Sequence, residues 1–168
     1  VPHRGLTHYA WWARERYTDG AARDFALYSS VAFDLTVTSI FVPLIAGGTA
    51  AIYGDEEGGG LPVLRVVDED RADVAKVTPS HLVLLEGREL AERRVRTLIV
   101  GGEELKTPLA RSIVAASGGR IAIENEYGPT ETVVGCSAYT LPNGVHREGA
   151  VPVGGPIQNL RFYVLDAY

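Results

Sequence analysis

The chain has little cysteine, no long apolar run and no cluster of basic residues. A single cysteine, Cys136, excludes an intrachain disulfide framework and favours a small buried apolar residue over a reactive thiol. The apolar stretches are broken within about ten residues by glycine, proline or charge, whereas a membrane span needs about 20. With 16 Lys+Arg against 21 Asp+Glu, the net charge is −5, so we expect no binding to membranes or nucleic acid.

What is present is typical of one globular domain. The chain has 168 residues, of which 46% are hydrophobic and 22% charged, enough to bury a core. Its first residues lack the pattern of a signal peptide, and its last residues read as a strand without a tail. We therefore expect a cytoplasmic protein and a piece of a longer polypeptide. The 19 glycines are in excess and fall in pairs and triplets where predicted elements end.

Short β-branched apolar runs alternate along the chain with helical patterns. Helices are predicted over 7–17, with Thr7 as N-cap, and over 34–46, 61–70, 79–85 and 107–116. Strands are predicted over 24–29, 50–53, 74–77, 95–100, 120–126, 137–141 and 160–165, with an acidic, glycine-rich loop at 55–60. This alternation predicts an α/β fold of parallel βαβ units, in which ligands bind at the carboxyl ends of the strands.

The segment Asn125–Thr132 carries the strongest chemical signal. It offers a carboxamide, an aromatic ring, a hydroxyl and a carboxylate directly after a predicted strand. Such groups can stack on a purine, bond a phosphate and hold magnesium, although each residue type is also typical of a turn and helix cap. The whole string resembles the NxYGPTE signature of the adenylate-forming superfamily, in the form typical of nonribosomal peptide synthetase adenylation domains.

Three further segments resemble the same family in the same order. Residues 33–37 are similar to its FDxSV segment, 98–103 to its strand and glycine loop beside the adenine, and 152–159 to its PIGxPIxN segment. The resemblance implies a flavodoxin-like layered sheet with helices on both faces. Residues 1–168 would form one subdomain, the substrate-specificity part of the adenylate-forming fold.

The resemblance also implies roles for individual residues. Asp34 resembles the carboxylate that pairs with the substrate α-ammonium; it is also suited to N-cap the following helix, and both roles can hold. Phe33 resembles an aromatic gate at the pocket mouth. Thr130 resembles a phosphate contact and Glu131 a magnesium ligand, which makes these two the candidate catalytic residues. The candidate nucleotide-binding residues are Gly102, Asn125, Tyr127 and Gly128.

The family reads its amino acid through scattered pocket positions, carried over here as Asp34, Leu35, Thr38, Lys76, Ile99, Gly101, Glu126, Val134 and Gly135. Lys76 and Glu126 lie in predicted strands, where charged residues commonly just face water. If both face the pocket, we expect them to pair, with a substrate carboxamide fitting between donor and acceptor. Asparagine is then favoured over aspartate, and glutamine or β-hydroxyasparagine stays open. The pocket set also resembles the family's asparagine-type pattern.

Several parts of the family's machinery do not occur in these residues. The phosphate loop would precede Val1, and the ribose-binding Asp and the C-terminal domain with its catalytic Lys would follow Tyr168. We therefore expect ATP and Mg²⁺ to act in the complete enzyme, while this chain alone binds but hardly catalyses. The implied partners are the rest of the adenylation domain and a carrier-protein domain. Whether an MbtH-like protein is also required stays open.

Three alternatives remain at this point. The chain could belong to an acyl- or aryl-acid CoA ligase, against which Asp34 argues because those substrates have no α-ammonium. It could be a non-catalytic ligand-binding module, or a generic flavodoxin-like domain, which the string at 125–132 disfavours. The four histidines lack metal-ligand spacing, so no zinc site is predicted.

Overall fold

A computed structural model describes residues 1–54, 60–144 and 148–166. The predicted loop at 55–60 lies outside these ranges except for Gly60. Within them the chain forms one mixed sheet with helices on both faces, so the predicted α/β class is confirmed.

The described sheet has seven strands in the order β2-β1-β3-β4-β5-β6-β7. The first five in chain order are parallel to one another, while β6 pairs antiparallel with β5, and β7 with β6. Their bounds are Phe25–Leu27, Ala50–Ile52, Val74–Val77, Thr97–Val100, Ala122–Tyr127, Ser137–Thr140 and Gly155–Pro156 for β1 to β7.

Helices connect the parallel strands. In chain order, α1 to α5 span His3–Thr18, Leu35–Ala46, Pro62–Glu69, Pro79–Leu85 and Thr107–Ala116, and a 3₁₀ turn spans Thr130–Thr132. Three of these helices carry proline in the first turn, where its fixed φ suits the helix and its missing N–H costs no hydrogen bond. In the described part of the chain, no helix is long and apolar enough to cross a membrane.

Alternating residues of the strands supply two separate cores. Leu98, Val100 and Ile123 pack with α3, α4 and α5 on one face of the sheet. Phe25, Val74 and Ile99 pack on the opposite face with α1 and α2. Because side chains alternate along a strand, every second residue of β3, β4 and β5 faces α1 and α2. This arrangement decides on which face each candidate site residue lies.

Two local predictions were wrong. The first helix starts at His3, with Pro2 at the N-cap position, so Thr7 lies inside it and donates its hydroxyl proton to the His3 carbonyl oxygen. The alternating segment 160–165 is not a strand, and its Val164 is almost fully exposed. In the described sheet the position beside β6 is taken instead by β7. Residues 160–165 therefore have no strand to pair with in the described part of the chain.

Candidate functional site

Two neighbouring residues of β5 point to opposite faces of the sheet. Glu126 reaches α1, where Tyr9 and Tyr17 contact its carboxylate, whereas Asn125 shares its face with Ile123. The pleat of a strand imposes this separation on any pair of consecutive residues. The carboxyl end of β5 therefore carries two distinct candidate sites, one on each face.

On the α1/α2 face, Lys76 and Glu126 form a buried ion pair. The Lys76 Nζ lies 2.5 Å from Glu126 Oε1, and the two side chains are 3% and 2% exposed. The predicted pairing is therefore present in the structure, and neither residue faces water. The predicted position of a carboxamide between the charged groups is not met, because they contact each other directly. A substrate amide would have to bind beside the pair.

Three hydroxyl groups complete the polar cluster, defined here as Tyr9, Tyr17, Thr38, Lys76 and Glu126. Tyr17 Oη donates to Glu126 Oε2 at 2.5 Å, and Tyr9 Oη donates to the same oxygen at 3.0 Å. Lys76 Nζ donates to Thr38 Oγ1 at 2.9 Å, and the Thr38 and Tyr9 hydroxyls share a hydrogen bond of 2.6 Å. These bonds offset the cost of burying both charges.

The two phenols of the polar cluster are held in their protonated form. Burial, followed by the negative charge of Glu126, raises the pKa of Tyr9 and of Tyr17 well above the ordinary value of 10. At neutral pH both hydroxyls are therefore donors toward the carboxylate. Tyr9 and Tyr17 were not predicted as site residues. The signal for them was the recurrence of Tyr9, Ala13 and Tyr17 every four residues, which places them on one face of a helix.

Glycine is required behind Glu126. A Cβ on Gly135 would lie 2.5 Å from Glu126 Cδ, and one on Gly101 would lie 2.9 Å from the Glu126 carbonyl oxygen. Just before Gly135, Val133 and Val134 adopt φ of 67° and 65°, a region that β-branched residues rarely occupy. Strain of this kind persists where the surroundings enforce it, and it often accompanies a functional site.

The predicted substrate residues of α2 lie next to the polar cluster. Asp34 is half-buried and four residues before Thr38, so the two share a face of the helix. Asp34 takes the N-cap position of α2, but the predicted capping bond is wrong, because its own backbone is helical and its carboxylate caps no N–H. Its charge contributes to raising the pKa of Tyr9, which places it within electrostatic reach of the cluster. Leu35 is half-buried beside it, and Phe33 is 68% exposed.

The remaining predicted pocket residues are buried on the same side. Ile99 and Val134 belong to the apolar core that contains Tyr9 and Tyr17. The structure therefore brings this predicted set together around one ion pair, and the role of each member in substrate binding stays a prediction.

On the opposite side of β5 lies a cleft of about 520 Å³, in the size range of small-molecule sites. Its lining includes all four predicted nucleotide-binding residues, Gly102, Asn125, Tyr127 and Gly128. The Asn125 amide donates to the carbonyl oxygens of Val151 and Pro152, which fixes this side chain in the wall. The ring of Tyr127 is half exposed and free to stack.

The charge of this cleft suits a neutral ring better than a phosphate. Glu103, Glu104 and Glu126 line it, and the described lining residues include neither lysine nor arginine, while Lys106 beside the cleft pairs with Glu104 at 2.6 Å. Such a lining can accept a neutral heterocycle, whereas phosphates would be repelled unless a cation accompanied them. The cleft therefore resembles the base-binding half of a nucleotide site.

Thr130 and Glu131 follow directly after the cleft. They form an exposed 3₁₀ turn next to Pro129, which itself lines the cleft. No group of three potential metal ligands occurs among the described residues. Glu131 nevertheless fits Mg²⁺, because that ion commonly takes one or two carboxylates and completes its shell with water and phosphate oxygens.

The fold defines an α/β protein with two candidate ligand sites at the carboxyl end of one strand, and comparisons with known proteins name its family. The chain belongs to the AMP-binding enzyme family, whose profile matches residues 1–168. It is a nonribosomal peptide synthetase adenylation-domain sequence, as the resemblance predicted.

Two curated relatives and one solved structure illustrate the match. Bacitracin synthase 3 of Bacillus licheniformis is 47% identical over 99% of the chain, and tyrocidine synthase 3 of Brevibacillus parabrevis is 44% identical over 99%. The chain spans only 3% of the length of each of these two relatives. The crystal structure of the nonribosomal peptide synthetase FmoA3 (S1046A) superposes with a TM-score of 0.81 at 25% identity, over 99% of this chain and 18% of that one.

Proposed function

We propose that this chain supplies the amino-acid pocket and the adenine-binding half of the ATP site in an enzyme that activates an amino acid for nonribosomal peptide synthesis. The observation that carries the proposal is the buried polar cluster on one face of β5, with a cleft for a nucleotide base on the other. An activating enzyme must hold an amino acid and ATP close together, and the end of one strand can present both.

The reaction is the attack of a substrate carboxylate oxygen on the α-phosphorus of ATP. A new oxygen–phosphorus bond forms, the bond from that phosphorus to the bridging oxygen breaks, and pyrophosphate leaves with the electron pair. Asp34 would pair with the α-ammonium, and Thr130 would donate to a phosphate oxygen. Glu131 would hold Mg²⁺, which neutralises phosphate charge when bound. Catalysis of this type depends mainly on positioning and charge neutralisation.

The polar cluster favours asparagine as the amino acid. Its two longest contacts both involve Tyr9 Oη, at 3.4 Å from Lys76 Nζ and 3.3 Å from Glu126 Oε1. These are the positions where a ligand can replace a weak bond, and they present one donor beside one acceptor. A carboxamide carries the complementary acceptor and donor.

Aspartate does not satisfy the same two positions. Its carboxylate could accept from Lys76, but its second oxygen would meet Glu126, and two acceptors with like charge repel each other. Glutamine presents the same amide one methylene further along. Discrimination by one methylene is weaker than discrimination by a mismatched polar group, so glutamine and β-hydroxyasparagine are the nearest competitors.

The proposal includes the molecular setting of the chain. The complete adenylation domain would supply the phosphate-binding and catalytic lysine parts, a carrier-protein domain would accept the activated amino acid, and an MbtH-like protein could assist. This chain alone is then expected to bind ligands but to show hardly any catalysis.

Amino-acid-dependent exchange of pyrophosphate into ATP tests the proposal in the complete adenylation domain that carries this chain. We expect asparagine to give the fastest exchange, with aspartate at least about 100-fold slower, the scale of a mismatched buried polar group. Asp34→Asn should abolish exchange with every amino acid, because it removes the partner of the ammonium group.

Two outcomes would overturn parts of the proposal. Exchange that is fastest with aspartate or an apolar amino acid would disprove the asparagine assignment. Exchange at full rate by the 168-residue chain alone would disprove the expectation that catalysis needs the other parts of the adenylation domain.

A further inference from the structure

The Glu126 carboxylate in the polar cluster accepts hydrogen bonds from α1, a helix that contains none of the predicted pocket residues. Tyr17 of α1 donates to Glu126 Oε2 at 2.5 Å, the shortest hydrogen bond from a hydroxyl to that carboxylate. Within the cluster its phenol oxygen bonds to Glu126 and to no other member, whereas Tyr9 also contacts Thr38 and Lys76. Tyr17 is therefore placed to act on Glu126 alone.

The two carboxylate oxygens of Glu126 have different surroundings. Oε2 receives hydrogen bonds from both phenols, which occupies its accepting positions. Oε1 receives Lys76 at 2.5 Å and only a long contact of 3.3 Å from Tyr9. The tyrosine bond thus fixes the rotation of the carboxylate and leaves Oε1 as the oxygen with a position to offer.

The surroundings leave Glu126 few other ways to be held in place. Behind it, the absence of a side chain on Gly135 accommodates the carboxyl group, since a Cβ there would lie 2.5 Å from Glu126 Cδ. Glycine supplies space but no hydrogen bond. The orientation of the carboxylate is therefore set by its donors, and two of these donors belong to α1.

We propose that Tyr17 is a specificity-determining positioning residue, which locks Glu126 Oε2 so that Oε1 is presented beside Lys76 to a side-chain amide. The inference rests on the proposed function, because it assumes that an amino-acid side chain meets this cluster. It assigns a selectivity role to α1, which otherwise only covers one face of the sheet.

The decisive variant is Tyr17→Phe, measured by ATP–pyrophosphate exchange in the complete adenylation domain with asparagine and with alanine. Alanine has no polar side-chain group and cannot sense the orientation of Glu126. We expect the kcat/KM for asparagine to fall about tenfold or more, the scale of one hydrogen bond to a charged group, mainly through KM. The kcat/KM for alanine should stay unchanged.

Tyr28→Phe is the matched control. Tyr28 also carries a largely buried phenol, but its hydroxyl donates to the main-chain carbonyl oxygen of Lys76 rather than to Glu126. Loss of that hydroxyl should leave the asparagine-to-alanine ratio as it was. A merely structural role of Tyr17 would lower both substrates equally, so an equal fall, or no change for either, would overturn the proposal.

A second variant covers the case in which Tyr17→Phe does not fold. Glu126→Gln removes the charge that Tyr17 is proposed to orient, and it should lower the asparagine-to-alanine ratio in the same way. An unchanged ratio in Glu126→Gln would mean that no selectivity exists at Glu126 for Tyr17 to control, which overturns the inference.

The two proposals fail in distinguishable ways. If the unmodified domain prefers another polar amino acid, the asparagine assignment is lost, and Tyr17 is then judged by the ratio of that amino acid to alanine. If the unmodified domain prefers asparagine and Tyr17→Phe leaves the ratio unchanged, only the inference about Tyr17 is lost.

Discussion

Lys76 lies in a short strand whose other residues are apolar, Glu126 lies near the carboxyl end of β5, and each depends on the other to remain buried. The residues that face the pair add three hydroxyl groups, so nearly every donor and acceptor of the polar cluster has a partner. A cluster of this kind is sensitive to the loss of one member. Removal of a single partner leaves a buried charge, whereas removal of both charges leaves none.

Loss of the Lys76 charge tests this dependence. We expect Lys76→Met to lower the free energy of unfolding by about 3–5 kcal/mol, the range for a buried charge left without its partner. The double variant Lys76→Met/Glu126→Gln should recover most of that loss, because the amide oxygen still accepts from Tyr9 and Tyr17. Urea unfolding of the chain and its variants measures both. A double variant as unstable as the sum of the two single variants would contradict the coupling.

At the residue scale, the sequence predicted the ion pair but not the residues that hold it. Lys76 stood out as a charge in a short apolar strand and Glu126 as a charge at the end of a predicted strand, and the family resemblance assigned both to one pocket. Tyr9 and Tyr17 did not stand out, because tyrosine on a buried helix face is ordinary. Their role depends on α1 crossing β5, a long-range contact that periodicity within the helix cannot reveal.

At the element scale, side chains connect the amino ends of four strands, at the end of the sheet opposite to the candidate site. Arg94, before β4, bonds to Asp24 at 2.5 Å and to Asp73 at 3.0 Å, the residues directly before β1 and β3. Asp24 also accepts from the main-chain N–H of Thr49, directly before β2. Side chains thus connect four strands at their amino ends, while the carboxyl ends of these strands remain available for ligands.

Because of this network, we expect the free energy of unfolding to fall at acid pH. Burial by itself raises the pKa of Asp24, but hydrogen bonds from Arg94 and Thr49 outweigh it and lower that pKa below the ordinary 3.8. Its contribution is therefore complete above about pH 3.8 and is lost as the pH falls further. Because the groups are partly exposed, we expect Arg94→Met to lower the free energy of unfolding by only about 1 kcal/mol at pH 7.

The pH series of urea unfolding separates this network from an ordinary surface pair. The difference in the free energy of unfolding between the unmodified chain and Arg94→Met should shrink once the pH drops below about 3.8. Arg88→Met, which breaks a single surface contact to Asp68, is the matched control and should have a smaller effect. A difference that stays constant from pH 7 to pH 2 would contradict the role of Asp24.

Element boundaries were predictable where local chemistry defines them. The bounds of α4, α5 and β3 agree with the predictions, because proline lies in the first turn of both helices and a short, mostly apolar run ends at Val77. The predicted strand at 160–165 failed because alternation alone does not supply a partner strand. The short β7 was not foreseen, because two residues at Gly155–Pro156 carry no periodicity and depend on β6 for pairing.

At the scale of the whole molecule, the sheet separates two chemically different surfaces. The polar cluster on the α1/α2 face is buried and contains both charges of the ion pair, while the cleft on the other face is open and has glutamates in its lining. The cleft offers Tyr127 for stacking and Asn125 in its wall, but Glu103 in its lining opposes phosphates. Binding of a complete nucleotide therefore needs positive charge beyond the cleft lining, and this requirement leads to a test on the chain itself.

We expect the chain to bind adenosine in the cleft and to gain no affinity from the phosphates of ATP when Mg²⁺ is omitted, because the added negative charge meets Glu103 while the described lining residues include no lysine or arginine. Tyr127→Ala should weaken adenosine binding about fivefold or more, the scale of stacking by one aromatic ring. Tyr163→Ala removes a more exposed ring, which lies outside the cleft lining, and should leave affinity unchanged. Isothermal titration calorimetry with adenosine and ATP measures both effects. Tighter binding of ATP than of adenosine would show that these residues already contain a phosphate-binding surface, and the acidic cleft would then not be the base site.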